Sequence, residues 1–153
     1  MKLALKNIKI AKHLSEETTA FTASLYVDGK RVGDVRNGGT GGCNMYSLRP
    51  FRLEGELDDL AQAKNGDKWL GLDHEVNSLL DLHDYRKAAK QNATKGYTYT
   101  VIARQGKDQF GWEKEYIIGY RDEAAFNAAV DSGELDKYDE IAAVDEMDSF
   151  VTL

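Results

Sequence analysis

The sequence predicts an α+β domain in which antiparallel hairpins and a meander at both ends of the chain pack against a central helical segment. Three observations carry this expectation. Near the N-terminus Phe21, Ala23, Leu25 and Val27 alternate with Thr22, Ser24 and Tyr26, the period of a half-buried strand. In the middle, Leu72, Val76, Leu79, Leu80 and His83 recur at spacings of three and four, the stripe of a helix. Further on, Tyr97, Tyr99, Val101 and Ala103 alternate again before a turn at Gln105-Gly106-Lys107-Asp108. With 153 residues, 42% of them hydrophobic, the chain has material for one core, and a single domain over residues 1–153 is expected.

Taken in order, Leu3 and Leu5 alternate and Ile8 and Ile10 alternate in shifted phase, which predicts a first strand with a bulge near Lys6-Asn7. The polar Ser15-Glu16-Glu17-Thr18 reads as a turn before the second strand. Asp28-Gly29-Lys30 then supplies a hairpin turn, because Asp-Gly tolerates the positive φ such turns need, and residues 31–35 return as the third strand of a meander. After it comes Asn37-Gly38-Gly39-Thr40-Gly41-Gly42-Cys43-Asn44, with four glycines in five residues. The glycines have two readings: they carry the chain off the sheet edge to the helical layer, or their exposed amides cradle an anion or approach a partner's backbone. The spacing of a phosphate-binding loop or a dinucleotide fingerprint is missing.

Residues 54–64 predict a short helix stopped by Asn65-Gly66, and Asp73 is a suitable N-cap for a longer one reaching about Asn92. The second hairpin spans residues 97–120, its aromatic residues interleaved with Lys95, Arg104, Lys107 and Lys114. Such a face serves as core, or it stacks and holds a nucleic-acid strand or nucleotide. A helix capped by Asp122 is expected to bury Phe126, Ala129 and Val130 and to stop at Ser132-Gly133, with a short element and a last edge strand after it.

The net charge of −6 is unevenly placed: residues 1–50 carry eight Lys/Arg against four Asp/Glu, residues 121–153 two against ten. Acid at Asp139, Glu140, Asp145, Glu146 and Asp148 disfavours nucleic acid and favours a basic partner surface. No apolar run approaches the roughly 20 residues of a membrane span, and the first residues carry charge where a signal peptide is apolar. A cytoplasmic protein without a membrane partner is expected. Cys43 is the single cysteine, so neither an internal disulfide nor a cysteine-rich zinc site is available. His74 and His83 are nine apart, unlike the zinc-protease pair, so no metal and no cofactor are expected.

The order Asn7-Ile8-Lys9, Ser15-Glu16-Glu17-Thr18, Asp28-Gly29-Lys30, Val35, Asn37, Gly41-Gly42-Cys43-Asn44 and Tyr46 resembles small proteins frequent in phage, prophage and other mobile bacterial DNA. That group has no general assigned activity. The resemblance, over about residues 5–46, implies a setting in a bacterial host and a bias towards proteins that bind and interfere with host machinery or defence.

The functional expectation is therefore a small non-enzymatic inhibitor of a host defence protein. It would bind through Arg36, Gly38, Gly39, Gly41, Gly42, Cys43, Asn44 and Tyr46 and through the acidic residues after 138. One alternative is capture of a nucleotide or other anionic signal by the amides of 38–44 with Arg31, Arg36 or Arg49. A second is an enzyme using Cys43 with His13 or His83, which needs a proximity that spacing does not supply.

Overall fold

In the computed structural model, which describes residues 1–153, Asp28 and Gly29 take φ of 47° and 80°, the two positive values of a two-residue hairpin turn. This turn joins β2 (Phe21–Val27) to β3 (Lys30–Asn37). β1 (Lys2–Ile10) pairs antiparallel with β2, and its register shifts between Lys6 and Lys9 where Asn7 has a φ of 54°, so the change of phase at Lys6-Asn7 is a bulge. The chain continues through β4 (Met45–Leu48), α1 (Leu53–Asn65), α2 (Leu72–Thr94), β5 (Tyr99–Lys107), β6 (Glu113–Tyr120), α3 (Glu123–Asp131), β7 (Glu140–Ala143) and β8 (Val151–Thr152). Strands at both ends flank a helical middle, and the fold is α+β. The contacts divide it into two compact units, residues 1–80 with 149–153, and residues 81–148, so the division falls within α2.

The first unit is a five-stranded antiparallel sheet in the order β4-β3-β2-β1-β8. Leu3, Phe21, Ala23, Leu25, Val27, Val35 and Leu48 form one apolar cluster with Leu57 of α1 and Leu72, Val76, Leu79 and Leu80 of α2. α1 ends at Gly66, which takes the left-handed cap conformation at φ 66°. Beyond it Glu75, 2% exposed, receives hydrogen bonds from Lys64 at 2.8 Å and Asn65 at 2.7 Å, pinning the end of α1 to the start of α2. A buried carboxylate with both an ion pair and an amide partner is satisfied, which is the condition for tolerating its charge in a core.

Two expectations change here. The glycine segment does not lead from the sheet to a helix; it connects the antiparallel neighbours β3 and β4, a four-residue strand too short to announce itself by alternation. Asp73 is not the N-cap of α2, which begins one residue earlier; Asp58 of α1 accepts the Leu72 amide at 2.7 Å instead, leaving the Asp73 carboxylate for other partners.

The second unit is built on a three-stranded antiparallel sheet in the order β6-β5-β7. Tyr85, Ile102 and Val144 form its buried cluster, with Ala89 and Met147 packed against it. On the middle strand Arg104 lies directly opposite Glu115 of β6 and Glu140 of β7, and bonds both, at 2.8 and 2.9 Å. Asp122 caps α3 by accepting the Ala125 amide at 2.8 Å, as expected. Of the stripe assigned to this helix Ala129 is buried, whereas Val130 is 45% exposed, because only one side of so short a helix meets the sheet.

Candidate functional site

A groove of about 600 Å³ opens in the first unit where three stretches of chain meet: the end of the glycine segment with β4, the first turns of α1, and the connection into α2. Tyr46 and Asn44 enter it from the sheet side. The Asp73 carboxylate accepts the Tyr46 hydroxyl at 2.6 Å and the Asn44 amide at 2.9 Å, so α2 holds this edge of the sheet directly. Burial, then the bond to Asp73 and its charge, push the Tyr46 phenol well above its ordinary range, making it a fixed neutral donor.

On the helical side Asp58 accepts the Leu72 amide at 2.7 Å and the Gln62 side chain at 2.6 Å. Gly71 stands so close that a Cβ there would overlap the Asp58 carboxylate in its present position on the Leu72 amide. Two large aromatics line the mouth: Phe51 is 91% and Trp69 79% exposed. Lys68 sets its ammonium 5.0 Å from the centre of the Trp69 ring, and Arg52 pairs with Glu56 at 3.2 Å. The result is a preformed wall of satisfied polar groups beneath two unburied rings.

The structure brings Cys43, Asn44 and Tyr46 of the expected site into this groove. The glycines before them are used differently. Asn37, 8% exposed, accepts the Gly39 amide at 2.9 Å and donates to the Gly42 carbonyl at 3.3 Å and to Asn44 at 3.0 Å. Thr18 donates to Asn37 at 2.8 Å and accepts the Gly41 amide at 3.3 Å. The amides of Glu16, Glu17 and Thr18 all converge on the Gly39 carbonyl, at 2.9, 3.0 and 3.3 Å. Gly39 takes φ 86°, and a Cβ on it would overlap the Leu14 carbonyl. The Ser15–Thr18 turn and the glycine segment thus form a closed latch. Arg31 is bound to Asp34 at 2.7 Å, and Arg36 is exposed on the outer face of the sheet.

Of the acidic residues, all in the second unit, Asp139 accepts the Gly106 amide at 2.6 Å and Glu140 holds Arg104, while Asp145, Glu146 and Asp148 stand exposed. In the second hairpin Val101, Ile102 and Ala103 are core, whereas Phe110 and Trp112 are 76% and 73% exposed at its tip. Asp108 fixes that tip by accepting the Phe110 and Trp112 amides at 2.8 and 2.9 Å. Of the cations interleaved with these aromatics, Arg104 is engaged by Glu113, Glu115 and Glu140.

Cys43 is an exposed free thiol, and the groove it lines includes no histidine. No group of His, Cys, Asp and Glu side chains is arranged to hold a metal ion, and no helix is long and apolar enough to cross a membrane. Sequence reasoning missed Phe51 and Trp69. Their signal was present: a large apolar ring in each of two polar turns, Arg49-Pro50-Phe51-Arg52 and Asn65-Gly66-Asp67-Lys68-Trp69, where burial has no use for it. No protein-family profile, curated protein or solved structure matches the chain.

Proposed function

We propose that this chain is a non-catalytic binding protein that captures a partner protein in the groove beside Cys43, with Phe51 and Trp69 as its anchors. The observation that carries the reading is the exposure of these two rings, 91% and 79%, over a groove whose polar walls are already hydrogen-bonded. Aromatic side chains exposed beside a concavity are the residues that dominate protein interfaces, and a wall that needs no rearrangement costs little ordering on binding. The occupied amides of Gly39 and Gly41, and the pairing of Arg31 with Asp34, favour this over capture of an anion.

The exposed carboxylates of Asp145, Glu146 and Asp148 and the net charge of −6 suit a partner with a basic surface. Together with the resemblance over residues 5–46, they support an inhibitor of a bacterial host's defence protein, encoded by a phage or mobile element and acting in the host cytoplasm.

The test compares affinity capture from host extract by the wild type and by a Phe51→Ala/Trp69→Ala variant. Loss of an interface anchor of this kind costs about 2 kcal/mol, roughly thirtyfold in affinity, so the variant should fail to retain a host protein that the wild type retains. The retained complex should also shield Cys43 from maleimide. A partner held equally by both forms, with Cys43 still labelled at the free rate, places the interface elsewhere.

A further inference from the structure

The second unit contains a cavity of about 490 Å³ bounded by β5, α3, β7 and the 3-10 turn Val144–Glu146. Its aromatic side is a pair of packed rings, Tyr99 and Phe126, with centroids 5.1 Å apart and planes tilted by 32°. Ala143 and Met147 contribute apolar surface, and two carboxylates stand at the mouth, Glu123 from the first turn of α3 and Glu146 from the 3-10 turn. No lysine, arginine or histidine lines it.

The electrostatics of this cavity are one-sided. The N-terminus of α3 contributes a partial positive charge of about half a unit. It is answered twice, by the Asp122 cap and by Glu123 itself. The Tyr99 phenol feels the surplus: burial first, then the charges of Glu146, Glu123 and Asp145, push its pKa up. Ring faces and carboxylates attract the same kind of group, a cation with an apolar stem: the rings through their quadrupole and by covering the stem, the carboxylates through direct charge. The space of about 490 Å³ falls within the range of small-ligand sites and admits a lysine or arginine side chain with part of its neighbouring backbone.

We infer that this cavity receives a lysine or arginine side chain from a basic segment of a protein partner, with Tyr99 and Phe126 stacking on it and Glu123 and Glu146 pairing with its charge. Asp145 and Asp148, exposed next to Glu146 in sequence, offer further charge to the rest of such a segment. The inference shares with the groove only the premise that the chain binds protein, and it rests on other residues.

Calorimetric titration of the full chain with a capped peptide of alternating arginine and glycine tests it. Glu123→Gln/Glu146→Gln should weaken binding about tenfold, whereas Asp59→Asn/Asp131→Asn, an equal change of charge on exposed residues, should leave it within about twofold. Thermal melting of each variant checks that it folds. The Phe51→Ala/Trp69→Ala variant should bind the peptide as the wild type does, which separates this site from the groove. Absence of peptide binding, or equal loss in both neutralised variants, overturns the assignment. So does spermidine binding as tightly as the peptide with the same dependence on Glu123 and Glu146, since that gives the cavity to a free polyamine.

Discussion

Leu25 and Arg104 both sit on an inner strand of their sheet, and they hold their units together by opposite means. Leu25 has no exposed surface and lies among Leu3, Val35 and the inward residues of α1 and α2. Arg104 keeps 27% of its side chain in solvent and ties the two flanking strands through Glu115 and Glu140. The difference follows from size. A five-stranded sheet covered by helical residues can bury a continuous apolar layer, whereas three strands have fewer inward positions and complete their cohesion with cross-strand charge.

Removing apolar volume from the first unit should have the largest effect. Leu25→Ala should lower unfolding free energy by about 3–5 kcal/mol, because a rigid sheet cannot collapse onto the cavity. Denaturant titration measures it; a loss below about 1 kcal/mol would mean that the layer around Leu25 is loosely packed.

Arg104→Met should cost less, about 2 kcal/mol, since the carboxylates it abandons remain partly solvated. The same residue gives the second unit a dependence on acid. Burial pushes the Glu115 carboxyl up, but hydrogen bonds from Tyr85 and Arg104, with the charge of Arg104, outweigh it and leave the group below its ordinary 4.5. A carboxyl lowered on folding contributes stability above its unfolded pKa, and the contribution disappears as pH falls through the folded value. Hydrogen exchange at β5 and β6 should therefore lose protection below about pH 4.5 in the wild type and change less steeply in Arg104→Met. Identical pH profiles for the two proteins would remove Glu115 from the account.

The smallest effect concerns Tyr120, whose hydroxyl is buried with no hydrogen-bond partner. Tyr120→Phe keeps the edge-on packing against Phe126 and removes an unsatisfied group, so melting should be unchanged or slightly higher, within about 1 kcal/mol. A clear loss would show that the hydroxyl is satisfied by water.

What the sequence disclosed and what it withheld divide along the same physical line. The Asp28-Gly29 hairpin, the bulge at Asn7, the Gly66 stop and the Asp122 cap are local, each decided by φ preference or by a side chain within four residues of its partner. β4 was not legible, since its four residues are fixed by register with β3 and by the grip of Asp73 on Tyr46, 27 residues away. The groove was half legible for the same reason. Cys43, Asn44 and Tyr46 lie beside an unusual glycine run, and Phe51 and Trp69 stand out as rings in polar turns, but only folding brings the start of α1 and the turn before α2 beside Cys43. Glu123 and Glu146, 23 positions apart, likewise meet only across the cavity in the second unit.

The convergence of three successive amides on the Gly39 carbonyl also bears on how such a chain can diversify. Ser15–Thr18 and Asn37–Gly42 complete one another's bonding, so a change in either strands partners in the other, and residues 15–42 act as one frame. Phe51 and Trp69 fall outside that stretch and take no part in the latch. The two rings can therefore be exchanged without disturbing the frame, so the shape of the groove and the surface it offers are set by separate residues.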